Sequence, residues 1–418
     1  MSRRIWNSVE DRRKLAQVDR LFQDVFDRAR AHHISHQNDY DFDSDLDQSM
    51  DDDDNVNVYS HVLREVSNIA THQYNRVHNV LEDDTIEFGQ TKTIADFNES
   101  DCIMYFRFLK EDLEIVAQQL WPRLSEFLNS DNQEIIQVGG SYTAHYETCL
   151  CLYLFKMSHP CRLRCDCEKF FGIRKSKLSR MMIFFGDAMY RLAQKYLLNP
   201  SIWKKNMPYY AEIIEEKCGG IFPHMWGFID CTIRRTCVPI RHQEVLYTRY
   251  KRCHGIKFQS VVTPDGYIAC LSGPFSARRH DVRILRESRL LDVLQRIMPE
   301  DAEEPIYYLY GDLAYEHRRH LFSGFRNAAP NTARARFNHE MSKCRIVVEW
   351  GFSNVLRRWQ YLDFTREMKV LKVPIGQYYT NCVFLTNILN CFYGGAINKY
   401  FDSEPMSLHE YLGLIDEL

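Results

Sequence analysis

The chain has 418 residues, enough for two or three domains and a sizeable hydrophobic core. Hydrophobic residues make up 45% and aromatic residues 13%, which puts it in the globular class, and the formal net charge of −3 hides an uneven distribution. Fourteen cysteines combined with a charged opening, MSRRIWNSVEDRRK, argue against a secreted disulfide framework and for reduced, intracellular thiols.

Residues 1–95 read as a largely disordered acidic region. DYDFDSDLDQSMDDDDNV, from Asp39 to Val56, has too few aliphatic residues to offset its ordering entropy. Within it, Leu15, Val18, Leu21, Phe22, Val25 and Phe26 recur at helical spacing, which predicts a short amphipathic helix. Residues 96–218 read as helical. DFNESDCIMYFRFLKEDLEIVAQQLWPRL and TAHYETCLCLYLFKMSHP each predict a helix, and the charge then turns basic. Between Lys156 and Lys205 stand twelve Lys or Arg residues against three acids. A short helix ending at Phe171, a turn at Gly172 and a second helix opened by Ser176 form a helix-turn-helix-like pattern. Arg174, Lys175, Lys177 and Arg180 surround the start of its second helix and are candidate DNA contacts. The same pattern also fits a solvated basic face on a helical bundle.

From residue 219 to the end the texture changes to short β-type runs. HMWGFID, HGIKFQSVVTPDGYIACLSG and EEPIYYLYGD predict strands, with Pro264-Asp265-Gly266 turning a hairpin between Phe258–Val262 and Tyr267–Leu271. HDVRILRESRLLDVLQRI, from His280, reads as a helix, and a final helical region is expected from about Ser342. Together these runs describe a mixed α/β layer. The most apolar stretch, IGQYYTNCVFLTNILN from Ile375, is too short and too polar to span a bilayer and reads as a buried helix, so no membrane is expected.

Acids in this last region carry the candidate chemistry. Asp230 and Asp312 are placed where apolar strands end, Glu349 lies on a helix one turn after Arg345, and Asp281 opens the helix after His280. Acids from two strands and a helix can meet over one sheet edge. A cage of hard oxygen donors suits Mg²⁺ or Mn²⁺ rather than zinc. The matching chemistry is in-line attack on a phosphodiester, with two metals roughly 3.5–4 Å apart. Each acid also has a structural role open to it: strand-end turn residues for the aspartates, a helix N-cap for Asp281, an i,i+4 partner of Arg345 for Glu349. Cys161, Cys165 and Cys167 in CRLRCDC lack the second matching pair that a structural zinc site needs. No nucleophile elbow and no Walker-type loop is present.

GFIDCT, the strand pair, the His280-Asp281 segment, LYGDLAY and RIVVEWGF, taken in this order, resemble the Harbinger-type transposases and the nucleases derived from them, within the DDE superfamily. The resemblance runs from about Phe106 to Leu412. It implies an RNase H-like mixed-sheet catalytic core over 219–418, preceded by the helical, helix-turn-helix-like region. It also implies a catalytic set of Asp230, Asp312 and Glu349, with Asp281 as a possible fourth metal-binding acid. The chain departs from the family pattern at Cys231 and Ala314, where glycine is usual, and at Leu356, where a basic residue is common; Arg357 and Arg358 follow it. The implied activity is metal-dependent DNA cleavage at transposon ends. The alternative is a domesticated DNA-binding or adaptor protein without turnover. The resemblance further implies a Myb-like DNA-binding partner protein, action in the nucleus, and a homodimer that holds two DNA ends. Arg234, Arg235, Lys251, Arg252, Arg278 and Arg279, with Arg249 and Lys257, are candidates to face the phosphate backbone, because duplex affinity is largely electrostatic.

Overall fold

The computed structural model of the chain describes residues 92–128, 134–139, 142–220, 222–240, 243–299, 305–370 and 372–416. The acidic repeat and the amphipathic stretch expected near the start lie outside these residues.

The helical region begins with short turns at Glu99–Asp101 and Cys102–Phe106, and Arg107 then enters the left-handed region (φ 72°). Helix α1 follows at Lys110–Leu124, so the single helix expected from Asp96 is broken. At the break the Arg107 guanidinium donates to the carbonyls of Ser158 and Arg358. Strands β1 (Ile135–Gln137) and β2 (Thr143–His145) form a small antiparallel pair. Helix α2 (Tyr146–Ser158) is buried along nearly its whole length, as expected of a helix apolar on every face. After a four-residue helical turn at Glu168–Phe171, Gly172 takes φ 66°, and α3 runs from Lys175 to Leu197. It opens at Lys175, one residue before the expected Ser176. Its interior, including Leu178, Met181, Phe185, Met189 and Leu192, belongs to the core. Helix α4 is Met207–Lys217.

One mixed sheet organises the remainder. Its strands are β3 (Met225–Arg235), β4 (Tyr247–Thr248), β5 (Cys253–Val262), β6 (Ile268–Ser276), β7 (Tyr308–Tyr310) and β8 (Leu321–Phe322). The order is β6-β5-β3-β7-β8, with β4 pairing the start of β5 on the β6 side. β3, β5 and β6 are antiparallel neighbours, whereas β7 and β8 add parallel to β3. The β5–β6 hairpin turns at Pro264-Asp265-Gly266, where Gly266 has φ 84° and donates its N–H to the Thr263 carbonyl (3.1 Å). The segment from His280 forms two helices, α5 (Asp281–Ser288) and α6 (Leu290–Ile297), separated by Arg289 at φ 53°. Helix α7 (Ala333–Arg358) starts nine residues before the expected Ser342, because the Thr332 hydroxyl accepts the Ala335 N–H and caps it. Helices α8 (Ile375–Tyr393), α9 (Ala396–Phe401) and α10 (Leu408–Gly413) close the fold. Among the described residues, no helix is long and apolar enough to cross a membrane.

Helix α8 explains its own polarity. Asn381 donates to Tyr153 Oη (2.7 Å) and to the Gly186 carbonyl (2.9 Å), tying α8 to α2 and α3. Asn387 accepts the Ile268 N–H and donates to the Ile268 carbonyl and Tyr411 Oη, each at 3.0 Å. Asn390 donates to the Asp265 carbonyl (2.8 Å). All three side chains are buried, and all three donate to backbone carbonyls of other elements. Replacing Asn387 by Ala strands both Ile268 groups. The expected loss is about 2–4 kcal/mol of unfolding free energy, read as a lower urea midpoint with an unchanged slope.

Candidate active site

β3 is buried from Met225 to Ile229 because it lies between β5 and β7. Asp230 is therefore an interior strand residue, not the strand-end residue expected: pairing with β5 continues to Arg235↔Gly255, and Thr232 and Arg234 stay buried. The Asp230 side chain keeps only 16% exposure. Oδ1 accepts the Cys231 N–H (2.7 Å) and Oδ2 accepts from Arg345 Nη1 of α7 (2.8 Å). Burial is the dominant influence on its acidity and raises the carboxyl to about 6. The Cys231 N–H and Arg345 act in the opposite direction, while the carboxylates of Asp312 and Asp281 add to the rise.

Parallel register brings the second acid alongside. Phe228 pairs with Tyr310, so two residues further on Asp312 comes level with Asp230. Gly311 is required there, since a Cβ would sit 2.5 Å from the Tyr315 ring. Ala314, where the resemblance led one to expect glycine, is exposed and has no positive φ, and its N–H donates to Asp312 Oδ1 (3.0 Å), so its side chain introduces no backbone strain. Cys231, the other departure, lies with its sulfur 3.6 Å from Tyr315 Oη.

The third acid is Asp281. It is the first residue of α5, with His280 at the N-cap position, so it is not the cap that its place in the sequence allowed. Its Oδ1 instead pairs with Lys257 Nζ of β5 (2.6 Å). Asp230, Asp281 and Asp312 each offer one oxygen, and these atoms lie within 4.8 Å of one another. Oxygen-only donors at this spacing, one of them held at about 6 by burial and like charge, fit a hard divalent cation. Glu349 is not part of this group. It lies on the exposed side of α7, 59% exposed, with its carboxylate 4.0 Å from Arg345 Nη2. Arg345 thus stands between Asp230 and Glu349, and the i,i+4 pairing legible in the sequence is the contact that forms.

The candidate DNA contacts divide by burial. Arg235, Lys251, Arg252 and Arg278 are exposed, as are Arg249 and Lys175, and Arg174 and Lys177 are half-buried. Arg180 is buried: it donates to the Gly139 carbonyl (3.1 Å) and stacks on Tyr142, a packing role that removes it from any DNA-facing set. Arg234 is buried too, bonded to the Thr232 hydroxyl and stacked over Tyr379. Arg279 is ion-paired with Glu287, with 12% of its side chain exposed. All three are corrected from surface cations to internal ones, as is Lys257, 12% exposed and paired with Asp281. Each arginine has an internal partner: a carbonyl and a ring for Arg180, a hydroxyl and a ring for Arg234, a carboxylate for Arg279.

Three supporting groups were not read as part of the site. In the sequence Arg345 reads only as a helix partner of Glu349, and Lys257 only as a candidate phosphate contact. Tyr315, whose Oη accepts from Gln259 Nε2 (3.2 Å), sits in LYGDLAY with no separate signal. Gln259 Oε1 in turn accepts from the Ser288 hydroxyl (3.0 Å), so the strand floor and α5 are joined behind the acids.

Residues 229–387 match the family model described as DDE superfamily endonuclease. The matched stretch contains all four candidate acids, and its similarity is to the superfamily rather than to one subfamily. No curated protein and no solved structure matches the chain.

The raised acidity constant sets a pH dependence. Folding favours the protonated form of Asp230, so its contribution to stability is present below about pH 4 and is lost as the pH rises through about 6. A bound cation needs the ionised form. One unit below its pKa only about a tenth of Asp230 is ionised, so Mn²⁺ affinity should be about tenfold weaker at pH 5 than at pH 7.5. Mn²⁺ should accordingly raise the melting midpoint at pH 7.5 and do so much less at pH 5, as read by differential scanning fluorimetry.

Proposed function

We propose that the chain is a divalent-metal-dependent DNA endonuclease of the Harbinger type, hydrolysing phosphodiester bonds at transposon ends on an RNase H-like core. The observation that carries this reading is the convergence of Asp230, Asp281 and Asp312 within 4.8 Å, inside the segment similar to DDE superfamily endonucleases. The strand arrangement supports it: three antiparallel neighbours with two parallel strands added beside the first.

The three aspartates would hold the cation, Mg²⁺ or Mn²⁺. When bound, it supplies Lewis-acid stabilisation of charge on phosphate oxygens and eases ionisation of the attacking water or 3′-hydroxyl. Lys257 and Arg345 fix the carboxylates of Asp281 and Asp230 in place. Gln259 and Tyr315 hold the strand beneath them. In the two-metal form of this chemistry Glu349, which shares Arg345 with Asp230, would be the further ligand once it turned from solvent toward the three aspartates. The exposed Arg235, Lys251, Arg252 and Arg278 would bind backbone phosphates, with Arg174, Lys175 and Lys177 extending the basic surface. A nuclear site of action, a homodimer holding two DNA ends and a Myb-like partner protein complete the proposal.

One observation favours the second reading, a DNA-binding protein without turnover. Arg345 places its guanidinium on Asp230 Oδ2, where it supplies the positive charge that a cation would bring. Nicking of supercoiled plasmid in Mn²⁺ separates the two. Wild type should nick, and Asp230→Asn and Asp312→Asn should lose at least about a hundredfold in rate, as expected for removal of a group stabilising the transition state. Folded wild-type protein that shifts DNA but nicks nothing, with its partner protein and the element's own ends supplied, would establish the binding-only reading. In the same assay and in Mn²⁺ titration, Asp281→Asn should weaken metal binding more than Glu349→Gln. The reverse order would return Glu349 to the primary ligand set.

A further inference from the structure

A cavity of about 340 Å³ lies away from the acids, between α2, α3 and the segment leading into α8. Its described lining includes four cations, Lys156, Arg162, Lys175 and Lys372, against the single acid Glu367. Lys156 is the unusual member. Only 6% exposed, it donates to the Cys161 carbonyl, and its ammonium lies 3.9 Å from the centre of the Tyr361 ring. An ammonium has three donors and pays heavily for desolvation, and burial pulls the Lys156 pKa down. A carbonyl and a ring face meet only part of that demand.

The 23-residue helix α3 begins at the same place, with Lys175 as its first residue and Ser179 one turn on. Its first turn carries no acid and its N-cap residue supplies no side-chain cap; the Lys175 N–H reaches Glu168 Oε1 at 3.3 Å. The positive end of the helix therefore adds to the field of the four cations, offset in part by the Glu168 carboxylate. The volume is at the small end of ligand sites, which run from roughly 300 to 1,000 Å³, and suits a phosphate carrying a sugar-sized group.

We propose that this cavity binds a phosphate monoester, with Lys156 at its floor and Arg162, Lys175 and Lys372 at its mouth. Two sources share that chemistry: a free nucleotide and the 5′-phosphate of a DNA strand end. The site is independent of the three aspartates and does not rest on the nuclease reading.

Isothermal titration of the full chain with inorganic phosphate, deoxyadenosine monophosphate, and short single-stranded DNA with and without a 5′-phosphate tests it. Phosphate and the mononucleotide should bind saturably. Arg162→Ala combined with Lys372→Ala, both at exposed positions, should weaken binding at least about tenfold, the loss expected for charge-assisted contacts. Glu367→Gln should strengthen binding several-fold, a gain that damage to the fold could not produce. Lys156→Met should abolish it, and Asp230→Asn should leave it intact. A clear preference for 5′-phosphorylated over 5′-hydroxyl DNA identifies the strand end as the ligand; tight mononucleotide binding without that preference identifies a small molecule. Failure of every probe to bind, or wild-type affinity in the Arg162/Lys372 double variant, overturns the proposal.

Discussion

Three buried asparagines on one helix hold the two halves of the described structure together. Asn381 binds side-chain and backbone oxygens of α2 and α3, whereas Asn387 and Asn390 bind the backbone of the β5–β6 hairpin. Asn398 of α9 adds a second donor to the Asp265 carbonyl (2.8 Å). Each of these amides is buried, and the bonds that its NH₂ group donates fix the rotation and depth at which α8 seats. The hairpin that it positions carries β5, and β5 aligns β3. Placement of Asp230 thus depends, through backbone pairing, on a helix that carries none of the acids.

The turn beneath α8 is built in the same way. Asp265 is fully buried, accepts from Thr263 Oγ1 (2.6 Å) and Tyr210 Oη (2.9 Å), and has its carboxyl raised to about 7 by that burial. Asp230 and Asp265 are both buried acids raised by desolvation, but their surroundings differ. Hydroxyl donors enclose Asp265, which suits a structural carboxyl. Asp230 has two further carboxylates beside it and two cations bound to the cluster. Like charges gathered at an interior strand position are costly unless a cation compensates them. That contrast, rather than burial alone, separates the candidate centre from the scaffold.

The basic residues show how charge alone misleads. Arg180, Arg234 and Arg279 belong to basic runs, and each is used internally, on a carbonyl, a tyrosine ring and a carboxylate respectively. Guanidinium groups can be buried in this way because their planar faces stack and their edges donate. What remains outside is a smaller set around Arg235, Lys251, Arg252 and Arg278, together with the cations at the mouth of the cavity between α2, α3 and α8.

The sequence alone determined the mixed α/β character, the hairpin at Pro264-Asp265-Gly266, the buried helix at Ile375 and which acids follow apolar runs or open helices. Those features are local: turn chemistry, side-chain alternation and apolar content need no partner to be read. Tertiary structure decided the rest. Whether Asp281 or Glu349 joins Asp230 and Asp312 depends on the rotation of α7 against β3, which places Arg345 toward the strand and Glu349 toward solvent. The start of α7 and the break at Arg289 likewise depend on caps and backbone angles that periodicity does not encode. The three arginines that turned inward could not be told from their exposed neighbours, because burial is a property of what packs above a residue, and that partner lies far away in the chain.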